Sequence, residues 1–299
     1  MKTLLKANPN KIRESKFDRA FSVVNIILLV FMVILVGVPV LNYFSLAFNH
    51  YAYNNKVSII PAKFSFQAMG YVLGGEYDGF WRAFLNSVII TFVVTFVSNF
   101  VEALAAYPLS KSDCPCKSGI MMYFIITMLF SAGIVPIYLL MRTFNLLNNI
   151  WSIILISISN VMNLLFFKTF FEGLPNDIEE AAVLDGASSL QLFVFVIIPM
   201  SLPVFGSCCF FSIVGCWNGI GSALIFIDSQ TVSQQPLAYF LYIKLSEGNS
   251  ASMYDDFLRD WGKNIEAASM FVSIIPILFI YPYVVRYIKG GLTIGSVKG

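Results

Sequence analysis

Long apolar runs separated by polar connections set the pattern of this chain. Six runs reach the roughly 20 residues an α-helix needs to cross a bilayer, at 21–48, 84–109, 119–140, 150–171, 192–227 and 265–288. Lys2, Lys6, Lys11, Arg13, Lys16 and Arg19 precede the first run, and Ser45 and Ala47 faintly suggest a signal-peptide cleavage site. That run is too long for a signal core of about 7–15 residues, so it reads as a retained span. The pattern predicts an all-α integral membrane protein with a cytoplasmic segment at 1–20, a six-span domain at 21–288 and a cytoplasmic tail at 289–299.

Composition agrees with this class. With 58% hydrophobic and 12% charged residues over 299 positions, the chain is too apolar for an ordinary soluble domain. Six spans bring both termini to one side, and the basic residues say which side that is. With the N-terminus inside, the cytoplasmic segments collect the six cations named above plus Lys111, Lys117, Lys168, Arg286, Lys289 and Lys298, twelve in all. The outside keeps Lys56, Lys63, Arg82, Arg142, Lys244, Arg259 and Lys263, which is seven. Both termini are therefore expected in the cytoplasm, and two long polar connections, 49–80 and 228–264, outside. A net charge of +2 with scattered cations leaves no electrostatic footprint for nucleic acid.

One cytoplasmic connection is unusually polar for so apolar a chain: EEAAVLDGASSLQLFVFVIIPMSLP, at 179–203. Leu174 and Pro175 close the fourth span. Asn176 with Glu179, or Asp177 with Glu180, then matches an N-cap and N3 acid pair that starts a helix. Gly186 stops it two turns later, and Ser188 with Gln191 repeats the capping pattern at the head of the fifth span. The expected unit is a helix, a glycine turn and a helix at the membrane surface. Ala181, Ala182 and Ala187 keep it thin enough for another protein's groove, with Glu179, Glu180 and Asp185 as a polar rim. Consecutive Glu179 and Glu180 point about 100° apart on a helix and have no His or Cys companion, so no metal site is expected there. On its caps alone the segment reads as a well-capped loop.

The order Glu180, Ala181, Ala182, Gly186 and then Val196, Ile197, Ile198, Pro199 adds a resemblance. It is similar to the EAA loop of permease subunits in binding-protein-dependent ATP-binding-cassette (ABC) importers, which usually carry Ile and Leu where Val196 and Ile198 stand. The stretch 178–203 resembles the sugar and oligosaccharide branch in particular. So do 56–73, FSAGIVPIYLL at 130–140, the Trp217–Asn218 pair and the ending KGGLTIGSVKG at 289–299. The resemblance implies the ABC importer permease fold, related to the smaller permease of the maltose system, in the cell membrane of a prokaryote. It implies a homologous permease as heterodimer partner, two ABC ATPase domains below, a solute-binding protein outside, surrounding lipid, and a sugar or oligosaccharide passing between the permeases. It makes Glu179, Glu180, Ala181, Ala182, Asp185 and Gly186 the ATPase-coupling residues.

The division of labour has independent support. No G-x-x-x-x-G-K-[ST] loop is present: Lys2, Lys117 and Lys168 precede Thr or Ser without the glycines that cradle phosphate. The chain is therefore not expected to be an enzyme or to hold a cofactor, and ATP and Mg are expected on the partner ATPase subunits. An ion-coupled secondary carrier is a different reading, since Glu102 lies well inside a span; no duplicated half supports it. A non-transporting membrane component would have the spans but no need for a coupling loop, and an importer permease for a non-sugar solute would have both.

In the fifth span Gly215 and Gly219 have the GxxxG spacing that permits close helix approach. Between them, Trp217 suits stacking on a sugar ring and Asn218 hydrogen bonding to hydroxyls, so this pair is the substrate-pathway candidate, against plain packing within the bundle. Gly219 follows where relatives often carry a polar residue. Cys114 and Cys116 are expected in a cytoplasmic link and Cys208, Cys209 and Cys216 in a span, without stable disulfides or a metal site. His50 has no acid or nucleophile around it in sequence and gets no catalytic role. The outer connection 228–264, with Tyr239, Tyr242, Tyr254, Asp255, Asp256 and Asp260, reads as a solvated cover or as a surface for the binding protein and the sugar it releases. Gly290, Gly291, Gly295 and Gly299 predict a flexible tail rather than a stable helix. The family resemblance implies that this tail fits between the ATPase subunits.

Overall fold

The computed structural model describes residues 16–51, 57–130, 132–247 and 256–295. Lys2, Lys6, Lys11, Arg13, Lys56, Tyr254, Asp255 and Lys298 lie outside the described residues. Within them the chain is helical, with strand-like pairing confined to one bridge between Asn49 and Phe64.

The elements are α1 (Lys16–Ala47), α2 (Gln67–Leu73), α3 (Phe80–Ser110), α4 (Lys117–Leu129), α5 (Ile134–Thr143), α6 (Ile150–Ser157), α7 (Val161–Glu172), α8 (Asn176–Leu184) and α9 (Ser189–Gln191). A π-helical turn, Leu192–Ile197, leads into α10 (Ile198–Met200), α11 (Leu202–Asn218), α12 (Gly221–Phe226), α13 (Leu237–Glu247) and α14 (Asp256–Gly295). Four stretches are long and apolar enough to cross a membrane: Arg19–Ala47, Phe80–Ser110, Ile150–Glu172 and Asp260–Tyr283. Two bent helix pairs pass the same test only when each is taken as a single stretch, Lys117–Leu129 with Ile134–Thr143 at 100° and Ser189–Met200 with Leu202–Asn218 at 79°.

The second bend has a local cause. Pro203 brings no N–H and its ring crowds the carbonyl four residues back, so a helix arriving through Met200 cannot run on unbroken. Ser201 turns the chain with its N–H shared between the carbonyls of Ile197 and Ile198, each at 3.0 Å. The continuous run expected at 192–227 is thus three helical pieces, and the run at 119–140 is two.

Packing centres on α3, which lies along α7, α11, α6 and α13. Three apolar clusters follow its length. Phe80, Trp217, Phe240, Trp261 and Ile265 form one at the end where α1 finishes and α14 begins. Ile90, Val94, Ile154 and Tyr239 fill the middle, and Leu109, Phe167, Phe171 and Phe193 fill the other end. Gly79 fits between α2 and α3 because φ is +82° and a Cβ would meet Val232 at 2.7 Å.

α1 joins the bundle only near its end, where Phe44 and Phe48 meet Phe271 at 5.3 and 5.5 Å. Upstream, every described large apolar side chain from Phe21 to Val36 is exposed. Such a face is stable against lipid or another protein, not against water.

Two expectations are corrected here. The connection 228–264 is not simply a solvated cover: α13 occupies 237–247, with Leu237, Tyr239 and Phe240 buried against α3 and α14. The hydroxyl of Tyr239 donates inward to the Ile227 carbonyl at 3.1 Å, and Gln235, also buried, donates to the Ser229 carbonyl at 2.8 Å. The apolar alternation around LAYFLYIKL outweighed the flanking polar residues. The tail also departs from expectation, since α14 stays helical through Gly290 and Gly291 to Gly295, continuing a helix already nucleated in the membrane-facing run.

Candidate functional site

The polar unit at 176–191 is a helix, a turn and a helix, as expected, but it starts differently. Pro175, at φ −65° and ψ 127°, holds the N-cap position, so Asn176 is already in the first turn and no side chain caps the helix. Neither proposed cap pair forms. Asp177 and Glu179 stand in the first turn, where they complement the positive end of the helix dipole.

The turn is a Schellman motif. The Gly186 N–H donates to the Val183 carbonyl and the Ala187 N–H to the Ala182 carbonyl, both at 3.0 Å, with Gly186 at φ +85°. Ser188 then forms the expected capping box: its hydroxyl accepts from the Gln191 N–H at 3.4 Å and its own N–H donates to the Gln191 side chain at 2.9 Å.

The acids of this unit go separate ways. Glu179 turns inward, forming an ion pair with Lys111 just past the end of α3, and its Oε2 accepts from the Tyr107 hydroxyl at 3.1 Å. The Lys111 ammonium also sits 4.7 Å from the Tyr107 ring centroid. Ala182 packs into the apolar cluster of Phe167, Phe171 and Phe193. Glu180, Ala181, Asp185 and Gly186 face outward. They share that face with Val183 and Leu184, which are 58% and 88% exposed. The result is an exposed apolar knob with an acidic edge.

A second ionic group braces the same end. Glu172 accepts from Lys168 at 2.8 Å and from Lys117 at 3.0 Å, and Lys117 also donates to the Ser110 carbonyl at 3.3 Å, closing the end of α3. Lys168 with Glu172 is an i,i+4 pair on α7 and so was legible in helical periodicity, but nothing in it connects residue 111 with 179 or 117 with 172. Lys111 carried only one signal, a cation in a connection with an excess of them. The exposed Val183 and Leu184 were also missed, because they look like core positions of a short amphipathic helix.

Deeper in the bundle lies a recess of about 350 Å³ between α3, the break separating α6 from α7, α11 and α12. Ser98, Ser157, Ser159, Asn160, Ser212 and Ser222 line it with Phe211, Gly215 and Gly219. Hydroxyls and amides of this kind both donate and accept, the pairing a sugar hydroxyl requires. Gly215 lines the recess and would place a Cβ in open space, so within this chain the GxxxG spacing marks no close helix approach.

Of the two candidate pathway residues, Trp217 is 6% exposed, stacked edge-on against Phe84 at 5.6 Å, with its indole N–H donated to the Ser273 carbonyl at 3.0 Å. Asn218 is exposed and donates to the Val214 carbonyl at 3.1 Å.

Behind the recess, Glu102 is buried in α3, and its Oε1 accepts the Asn160 N–H at 2.8 Å where the chain restarts as α7. Asn99 and Asn163 both donate to the Ser212 hydroxyl, at 3.2 and 3.3 Å, tying α3 and α7 to α11. Among the described residues no three His, Cys, Asp or Glu side chains gather as a metal site. All five cysteines are free.

No family model matches the chain. It is 31% identical to the polygalacturonan/rhamnogalacturonan transport system permease protein YtcP of Bacillus subtilis (strain 168), over 82% of this chain and 86% of that protein. It is 32% identical to Protein LplC of the same organism, over 81% of each. Among solved structures it matches a chain of a bacterial ABC transporter involved in the import of the acidic polysaccharide alginate. That match has a TM-score of 0.80 and 28% identity and covers 92% of this chain and 98% of that one.

Proposed function

Since the chain belongs to the permease subunits of ABC importers of sugars and oligosaccharides, we propose that it pairs with a homologous permease to form the passage for a sugar or oligosaccharide delivered by an extracellular binding protein. Each bent helix pair counts as one crossing, giving six spans, with both termini in the cytoplasm. ATP and Mg are held by two partner ATPase domains. The observation that carries this reading is the outward face of α8 and its turn, where Glu180, Asp185, Val183 and Leu184 are presented together at the end of the bundle opposite α2 and α13.

The mechanism follows from that placement. α8 is short, closed at its C-terminal end by the Schellman turn, and rooted by Ala182 in the Phe167 cluster, so a groove that grips its outer face moves a rigid body. In the passage, the serine-lined recess and Asn218 meet sugar hydroxyls, while Trp217 holds α11 to α14 and shapes the wall.

The test is ATP-dependent uptake by vesicles holding the assembled complex and binding protein, screened against glycans. Uptake of a glycan that requires both ATP and the binding protein is expected. Uptake of an amino acid, metal or phosphate and no glycan overturns the substrate class, and uptake driven by an ion gradient without ATP replaces the importer with a carrier. For orientation, a single cysteine at position 249 is expected to react with an impermeant thiol reagent from outside, while Lys2 to Arg19 stay protected; the opposite pattern would place α8 on the wrong side for an ATPase.

A further inference from the structure

We infer that Glu179 is a link inside the subunit and not an ATPase contact: Lys111 and Tyr107 clasp it so that displacement of α8 carries α3 along. The inference rests on the proposal that α8 seats in the ATPase. α8 follows α7 directly in the chain, whereas α3 reaches it through this contact and the apolar cluster beneath it.

Two interactions converge on one carboxylate, the Lys111 ion pair and the Tyr107 hydroxyl at 3.1 Å, and the two partners also touch each other, with the Lys111 ammonium 4.7 Å from the Tyr107 ring. A lone exposed ion pair constrains little, because long side chains swing and water screens them. Here the side chains of Lys111 and Glu179 are only 26% and 14% exposed, and the ring and hydroxyl fix the direction of approach as well as its length. Glu180, the next residue, faces open space, so the two acids of the pair are divided between an inner and an outer task.

A second link lies farther along the same helix, where Glu102 holds the Asn160 N–H at the head of α7. The 111–179 and 102–160 contacts join α3 to the α7–α8 unit at two heights. α3 also supplies Val94 and Ser98 to the recess, so a push on α8 arrives at the wall of the passage.

The experiment reads the recess without needing the natural sugar. In the full complex, with the five native cysteines replaced by Ser, Ser98→Cys is labelled by a thiol reagent in the nucleotide-free state and after trapping with ATP and vanadate. Trapping is expected to change the labelling rate by at least about fivefold, the low end of a typical coupling between sites. Lys111→Glu is expected to erase that response while the ATPase still co-purifies, Lys111→Arg to keep it, and Lys111→Glu with Glu179→Lys to restore it. If Lys111→Glu fails to insert, Lys111→Met combined with Tyr107→Phe takes its place and is expected to blunt the response. A response at position 98 that ignores these changes, no response in the parent, or a swap no better than its single variants overturns the clasp. Glu180→Lys is a separate arm, expected to release the ATPase. If the ATPase stays bound in that variant, the seating of α8 fails, whatever the Lys111 series shows.

Discussion

Gly186→Val is expected to leave membrane insertion and permease pairing intact, yet to strip the ATPase from the purified complex and abolish uptake. Gly186 has φ +85°, and a Cβ there would meet nothing within 4 Å, so the effect is one of backbone conformation and not of crowding. A β-branched residue in the left-handed region costs roughly 1–2 kcal/mol or more, and the Schellman bonds at Val183 and Ala182 are lost if the turn relaxes instead. For folding, that cost is modest beside the packing of the bundle. For docking, it acts at the joint that aims Glu180, Val183 and Leu184, where about 1.4 kcal/mol already weakens association tenfold. Recovery of the ATPase and glycan uptake, measured side by side, decide the matter: normal values for both would leave 176–191 as only a well-capped loop.

Glu102→Leu carries the second large effect, this time on the fold. Glu102 is buried, and the substitution removes the acceptor for the Asn160 N–H at the helix break that lines the recess. The bond is partly buried, and a donor orphaned there and shielded from water costs about 1–3 kcal/mol. The variant is expected to lower the melting temperature of the detergent-solubilised complex by several degrees and to reduce its yield. Glu102→Gln keeps an acceptor oxygen in the same place and is expected to retain both stability and ATP-driven uptake. Loss of uptake in Glu102→Gln with assembly intact would show that the carboxylate itself takes part in transport, reviving the ion-coupled reading.

The contrast between these two positions shows how far the chain could be read without its structure. Gly186 was legible because a glycine between two capping signals has one local explanation, and the left-handed φ bears it out. Ser188 with Gln191 was legible for the same reason, as a bond pattern spanning three residues. Asn176 and Asp177 failed as caps because Pro175 took that place, a competition that the local pattern contained but did not rank. Glu102 was visible as an acid in an apolar run, while its partner at residue 160 was not.

What the sequence determined by itself is whatever depends on short range and on solvent: apolar runs too long for water, the Schellman glycine, the capping box, and a residue order similar to that of importer permeases. Each follows from bonds within one turn or from the transfer of a segment into lipid, and both are properties of neighbouring residues. Tertiary structure decided the rest. The meeting of Lys111 with Glu179, the burial of Trp217 with its N–H on Ser273, the folding of α13 into the bundle and the recess at the α6–α7 break all depend on which helices lie side by side. In an apolar solvent almost every face of a span looks alike, so hydrophobic pattern does not select the neighbour. Close packing and the pairing of the few buried polar groups select it, and those exist only once the helices have met.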